Sequence, residues 1–415
     1  MLQKISLFNT RRDFLFAFFF LTLLSFYSLL IEYNNYKNLT RFDTQLVEAT
    51  LLKQYTKNAS SILKLKSNHG AIFYTKTKQK NLLVGENLLL KVWAGKISFY
   101  AYLKGFYAYS KIVKGSIKAT YKTAFNTAIA KQHKSLEITA IYQALFSARQ
   151  LDSSIQKQFS SLGISHLLAI SGFHLGVLST LLFFLLKYPY HFLQNRYFPY
   201  RNKKRDLFVI ISMILLSYLL FLGTPASLLR AFAMLLMGFV LYDRGFQIIS
   251  MQTLLLSILL LLALFPRLFF SLGFGLSVAG VGYIFLFLIH FQDLGKKWQF
   301  LLLPFWIYLM MLPFSLAIFE NFSLYHPLSI LWSTLFSLFY PLSIFLHLIH
   351  EGNLLDTPLE YLVHLDTHTK QIVLHPLWLV PFVLLSLGAI YKRSLLTLTL
   401  LYASAIFLYA IIYSL

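Results

Sequence analysis

Three polar residues stand in a run of sequence otherwise fit for hydrocarbon. His166, Ser171 and His174 lie in Gly163-Ile-Ser-His-Leu-Leu-Ala-Ile-Ser-Gly-Phe-His-Leu-Gly-Val-Leu178, which continues through apolar residues 179–186. A spanning helix needs about 20 mostly apolar residues, so this run is long enough to cross a bilayer. Imidazoles and a hydroxyl there are costly unless they face protein or a wet cavity. Ser171 and His174 have the residue types of a nucleophile and its base. Three-residue spacing on one helix, with no acid to orient the ring, favours packing and helix-to-helix hydrogen bonds instead. A fourth residue, Arg230 in "GTPASLLRAFAM", places a cation inside another apolar stretch. It calls for an anionic ligand or a cluster of carbonyls, the alternative being a side chain that snorkels to the headgroups.

Spacing shows how these residues are positioned. Ser165, Ala169, Gly172, Gly176 and Ser179 step by four, three, four and three, which stacks small residues on one helix face. Gly172 and Gly176 form a GxxxG pair that lets a second backbone approach. His166, Ile170 and His174 form a polar stripe beside that face. The expectation is one continuous helix over residues 163–186, with a tight-packing side and a polar side.

Other chemistry is sparse. Without cysteines there is no disulfide, no thiolate metal site and no Cys nucleophile. No phosphate-binding loop G-x4-G-K-[ST] and no HExxH occurs. Glu360, His364 and His368 share a helical face as a metal trio would, but read better as chance histidines on an amphipathic turn. No catalytic residue, metal or cofactor is expected, and the chain reads as no enzyme.

Of 415 residues, 57% are hydrophobic and 13% charged, with mean hydropathy +0.64. That is too apolar for a soluble protein and fits a multi-pass membrane protein. Residues 14–31 follow Arg11 and Arg12 and read as an uncleaved anchor whose basic flank stays cytoplasmic. Further spans are expected at residues 207–222, 225–242, 247–265, 268–290, 298–319, 325–350, 372–391 and 395–413. Pro327 and Pro341 make residues 325–350 a candidate broken or re-entrant pair. The basic loop 187–206 falls on the cytoplasmic side.

The formal net charge is +22, and most of the excess lies between residues 32 and 163, where twenty Lys and Arg meet six Asp and Glu. β-rich runs at 45–55, 61–66, 71–75 and 87–93, separated by turn residues, suit a small barrel of the OB type. Lys53, Lys57, Lys64, Lys66, Lys76, Lys78, Lys80 and Lys91 are interleaved with aromatics that include Tyr74 and Trp93. Cations for phosphates beside ring faces for bases is the pattern of single-strand nucleic acid binding. The alternative is that the lysines keep an exposed domain soluble and the rings form a core or meet the membrane interface. Residues 116–162 have helical periodicity with a modest apolar face and read as helices lying on the outer membrane surface.

"GISHLLAISGFHLGVL" resembles the signature of the ComEC competence proteins, inner-membrane channels that pass transforming DNA into the bacterial cytoplasm. "GTPASLLRAFAM", "FPRLFFSLGFGLSVAGV" and "LPFSLAIFENFSLYHPLSIL" follow in that family's order, covering about residues 160–345. The resemblance implies an α-helical multi-pass membrane protein with a small extracytoplasmic β-barrel (OB-like) domain. Its parts are an anchor (1–31), the basic domain (32–115), surface helices (116–162), the channel core (163–350), and a loop with the last helices (351–415). His166, Ser171, Gly172, His174, Gly176 and Arg230 become candidates for channel lining or packing. The implied partners are single-stranded DNA, the lipid bilayer, an extracytoplasmic DNA receptor and cytoplasmic strand-binding or motor proteins, with homo-oligomerisation open. Many relatives carry a C-terminal metallo-β-lactamase domain; the short form expected here leaves strand degradation to a separate nuclease. Two rival readings stay open: a secondary transporter of a smaller anion, and a membrane-embedded hydrolase or transferase using the intramembrane His and Ser.

Overall fold

The computed structural model describes residues 11–57, 60–77, 85–116, 121–168, 170–243, 250–367 and 369–414. They fall into two units. One runs to Phe125 and includes Leu259–Ser271; the other holds Asn126–Ile258 and Leu272–Leu415.

The first unit begins with helix α1 (Arg11–Thr40), whose stretch Leu15–Thr40 is apolar and long enough to span a bilayer. Strands β1 (Thr44–Lys57), β2 (Ser60–Ser67), β3 (Ile72–Thr77) and β4 (Asn87–Trp93) then fall on the four β-rich runs. In β4 the alternation is plain: Leu88, Leu90 and Val92 are buried while Asn87, Lys91 and Trp93 face outward. Leu51, Leu63, Leu65 and Leu90 have no exposed surface at all. Each such burial is worth roughly 1.5–3 kcal/mol against an exposed side chain, and this inner face holds the unit together.

Helix α2 (Phe99–Lys104) follows, opened by Ser98, whose Oγ accepts the Ala101 N–H at 3.2 Å. Two strands absent from the sequence expectation come next, β5 (Phe106–Tyr107) and β6 (Tyr109–Ser116). The sheet order is β5-β3-β2-β1-β4-β6, with β5 parallel to β3 and β6 antiparallel to β4. The two edge strands are therefore successive stretches of chain, separated by Ala108 alone. Ala108 donates its N–H to the Tyr74 carbonyl at 3.0 Å, and Ser110 Oγ–H reaches Thr75 Oγ1 at 2.8 Å. The six-stranded sheet is strongly curled as a result. β6 escaped the sequence reading because most of its residues are exposed, which removes the hydrophobic alternation.

In the second unit, α3 (Tyr121–Ala130, its start in the first unit) leads to α4 (Leu136–Ser147), α5 (Ser153–Ser161), α6 (Ser165–Leu168) and α7 (Gly172–Tyr197). Then come α8 (Lys203–Leu222), α9 (Ala226–Asp243), α10 (Met251–Leu264, its end in the first unit), α11 (Leu272–His290) and α12 (Lys296–Phe319). A short strand β7 (Asn321–Phe322), α13 (Ser329–Leu348), α14 (Asp356–His364), strand β8 (Lys370–Gln371), α15 (Leu379–Gly388) and α16 (Arg393–Ser414) complete it. By length and composition, seven helices among the described residues are able to cross a membrane.

Four expectations are corrected. The continuous helix over residues 163–186 is broken between α6 and α7. The pair expected to break at Pro341 is one helix, α13, that runs through that proline. The span expected at 372–391 contains a helix of only 10 residues, preceded by a 3-10 turn at Pro376–Trp378. At 1.5 Å per residue it reaches about half the hydrocarbon thickness. Finally, α4 does not lie on a surface. Ile138, Ile141, Tyr142, Leu145 and Phe146 are buried in a cluster with Leu168 of α6, Phe336 and Tyr340 of α13, and Leu359 of α14.

Candidate functional site

The break between α6 and α7 organises the candidate site. Gly163 turns the chain into α6 with φ +74°, the left-handed region that favours glycine. A Cβ there would stand 3.2 Å from the His326 ring. His326 is itself buried, with Nε2 donating to the Ser160 carbonyl at 3.0 Å. The first motif is thereby locked against the segment "LYHPLSIL".

At the break, backbone groups lose their helical partners and must find others. The Ile170 carbonyl accepts the Ser227 hydroxyl at 2.7 Å, which ties the break to the "GTPASLLRAFAM" segment on α9. Ser171 becomes the N-cap of α7, with extended backbone (φ −124°, ψ 178°). Its N–H donates to His174 Nδ1 at 3.2 Å, the place a Glu or Gln fills in the usual capping box. Ser171 Oγ also lies 3.2 Å from that nitrogen. With Nδ1 accepting, the neutral ring carries its proton on Nε2. That Nε2 is buried without a hydrogen-bond partner among the described residues. The rings of Tyr340 and Phe336 enclose it edge-on at 4.6 and 5.3 Å.

The two glycines of the expected GxxxG pair separate in role. A Cβ on Gly172 would meet the Ala231 Cβ at 3.1 Å, so α7 and α9 approach closely there. Gly176 has nothing within 4 Å and mediates no close contact in this fold. The stripe of small residues fails because the helix that would have aligned it is interrupted at Ile170 and Ser171.

Arg230 is 4% exposed, too deep for a snorkelling side chain. Its Nη1 donates to the Gly273 carbonyl at 3.1 Å, and its guanidinium lies 5.8 Å from the Phe274 ring centre. Both partners belong to the third motif segment, "SLGFGLSVAGV". His166 behaves differently. Its Nδ1–H donates to the Gly163 carbonyl at 3.1 Å, which leaves Nε2 to accept from Ser333 Oγ of α13 at 3.3 Å. Its side chain is exposed. The second and fourth motif segments thus reach residues 163–174 directly, and the third joins them through Arg230 of the second. Sequence reasoning missed Ser227, Ser333, Phe336 and Tyr340; only the i, i+4 spacing of the last two hinted at a shared face.

The curled sheet presents the second set of candidates. Lys53, Lys64 and Tyr74 are direct neighbours across β1, β2 and β3, and the Lys64 ammonium lies 5.9 Å from the Tyr74 ring centre. On β4 and β6, Lys91 pairs with Lys111 and Trp93 with Tyr109, the two rings 5.2 Å apart. All four side chains are exposed, and Lys91 sits 5.8 Å over Trp93. Like charges placed directly opposite on a sheet destabilise it, and Lys91 with Lys111 is such a pair. Lys76 is exposed on the same face. Lys66 is half-buried; burial and then repulsion by Arg267 pull its ammonium below the usual range. Arg267 pairs with Glu32 at 2.6 Å and stacks 4.8 Å over Tyr102. The side chain of Lys57, and Lys78, Lys80 and His368 altogether, lie outside the described residues.

No match is found among curated proteins or among solved structures. A family model described as Competence protein matches residues 146–413, about two thirds of the chain, and includes every segment that meets at the helix break. This chain is a member of the competence protein family, whose part is in competence and DNA uptake.

Proposed function

We propose that this protein is the inner-membrane channel through which single-stranded transforming DNA enters the cytoplasm. One observation carries the reading: the motif segments pack on one another around a broken helix, with the Arg230 cation buried among them. Isolated phosphates in hydrocarbon cost far more than binding returns, so a DNA path must be polar and wet. The curled basic sheet, on the extracytoplasmic side, holds the strand before entry. Its pairing of β1 with both β2 and β4, and of β3 with β5 in parallel, supports an OB-like barrel, a fold used for single strands.

The hydrolase alternative loses its motivation in this geometry, since the Ser171–His174 contact is absorbed by capping α7. The test is uptake of fluorescent DNA in cells lacking the protein. Label retained outside the inner membrane, with transformation lost and restored by the intact gene, is expected. Normal transformation in the deletion strain would remove the proposal.

A further inference from the structure

Away from the motif segments, three titratable side chains meet in a line whose hydrogens do not balance. His133, in the turn between α3 and α4, places Nδ1 2.9 and 3.1 Å from the two carboxylate oxygens of Asp356, the first residue of α14. Its other nitrogen, Nε2, is 3.0 Å from Nε2 of His347 at the end of α13. The remaining nitrogen of His347, Nδ1, is 2.7 Å from the Ser343 carbonyl, which can only accept. His347 must therefore donate from Nδ1 and accept at Nε2. A carboxylate on Asp356 demands that His133 also donate from Nδ1, which would set two bare lone pairs facing each other at 3.0 Å. One additional proton resolves the line. It sits on Asp356, or equivalently makes His133 a donor at both nitrogens, and every contact then has one hydrogen.

The seat suits a proton better than a metal ion. His133 has no exposed side-chain surface. No group of three or more His, Cys, Asp or Glu able to hold a metal occurs among the described residues. Tyr142 of α4 stacks on the His133 ring at 4.5 Å and fixes its plane. Gln132 completes the joint, donating to the His347 carbonyl at 3.2 Å and accepting from the Gly352 N–H at 3.1 Å.

We propose that Asp356, His133 and His347 share one proton, and that this proton latches the end of α13 and the start of α14 to the turn before α4. The groups facing the trio are Tyr142, whose phenol burial pushes well up, and Glu360 one turn along α14. Burial, followed by the repulsion of Glu360, raises the Asp356 carboxyl to about 6, while burial lowers His133 to about 4. A carboxyl raised by folding gives stability that is full below its ordinary range and lost as pH rises through about 6. A second proton enters only as pH falls to about 4. The line is thus complete between those values and opens above them.

Hydrogen exchange of the full chain in lipid nanodiscs, read over residues 131–136 and 347–356 from pH 4 to 8, tests this. After correction for intrinsic exchange, protection should fall between about pH 4 and 6 by up to about tenfold per pH unit, the slope for one proton, and level off above about pH 6. Asp356→Asn supplies an amide N–H to His133 Nδ1 at any pH, so it should stay protected throughout. Asp356→Ala should be as open at pH 5 as the wild type is at pH 8. Flat wild-type protection, or an Asp356→Asn variant that still titrates, would overturn the proposal. Restoration of protection at pH 8 by zinc ions alone would also overturn it, by assigning the seat to a metal.

Discussion

Replacing Lys91 and Lys111 together by glutamine separates binding from folding, because the two roles of these lysines have opposite signs. They face each other across β4 and β6, both exposed, with Trp93 and Tyr109 forming the adjacent pair. Glutamine keeps most of the stem that covers neighbouring surface while removing the charge. Relieving a directly opposed like-charge pair should stabilise the sheet by roughly 0.2–1 kcal/mol. Single-strand binding should move the other way. Each phosphate neutralised contributes about 0.7 to the salt slope of log affinity, so losing two lowers it by about 1.4. Between about 50 and 200 mM salt, the wild-type advantage over the variant should therefore shrink about sevenfold. The assay is fluorescence anisotropy of a labelled oligothymidine on the full chain in nanodiscs, beside thermal unfolding of the same preparation. An unchanged salt slope would refute the reasoning, as would weaker binding accompanied by a lower melting temperature.

Three further outcomes follow from the helix break. Gly172→Ala should cost about 1–3 kcal/mol, because its methyl group must displace the Ala231 Cβ and with it the α9 backbone. Gly176→Ala, facing open space within α7, should instead stabilise by roughly 0.5–1 kcal/mol, and unfolding in detergent distinguishes the two signs. His174→Gln restores an acceptor for the Ser171 N–H and should transform like the wild type, whereas His174→Ala loses the cap at about 0.5–2 kcal/mol. Inactive but stable His174→Gln protein would reinstate a chemical role for that imidazole. Arg230→Met removes a desolvated cation and should fold as well as the wild type or better while DNA uptake is lost; normal uptake would exclude Arg230 from the path.

The chain's four inner strands were legible because turn residues bound runs whose inward positions are Leu, Ala, Phe and Val. β5 and β6 were not, since one has two residues and the other exposes most of its length. Most spans were legible from hydrophobic length. The interruption at Ile170 and Ser171 was hidden, because the sequence there continues a helical pattern without a proline or any other local stop signal. Only the partners reveal it: Ser227 on one side, His174 on the other. The trio of His133, His347 and Asp356 was invisible for a different reason. His133 lies more than two hundred residues from the other two, and the packing of α4 against α13 and α14 assembles them.

The break also sorts the polar residues of the bundle. In hydrocarbon, every backbone group freed by an interrupted helix must be satisfied from nearby side chains. Ser227 serves the Ile170 carbonyl and His174 serves the Ser171 N–H, so both are accounted for by the fold alone. Arg230 is not. Its guanidinium has five donors and makes one hydrogen bond among the described residues, to a carbonyl that belongs to helix α11. His166 is not either, since its bond to Ser333 leaves an exposed ring and fills no backbone vacancy. A buried cation held by one carbonyl and one ring is expensive to keep for structure. On the channel reading proposed above, Arg230 is where the first contact of the strand inside the membrane should be sought.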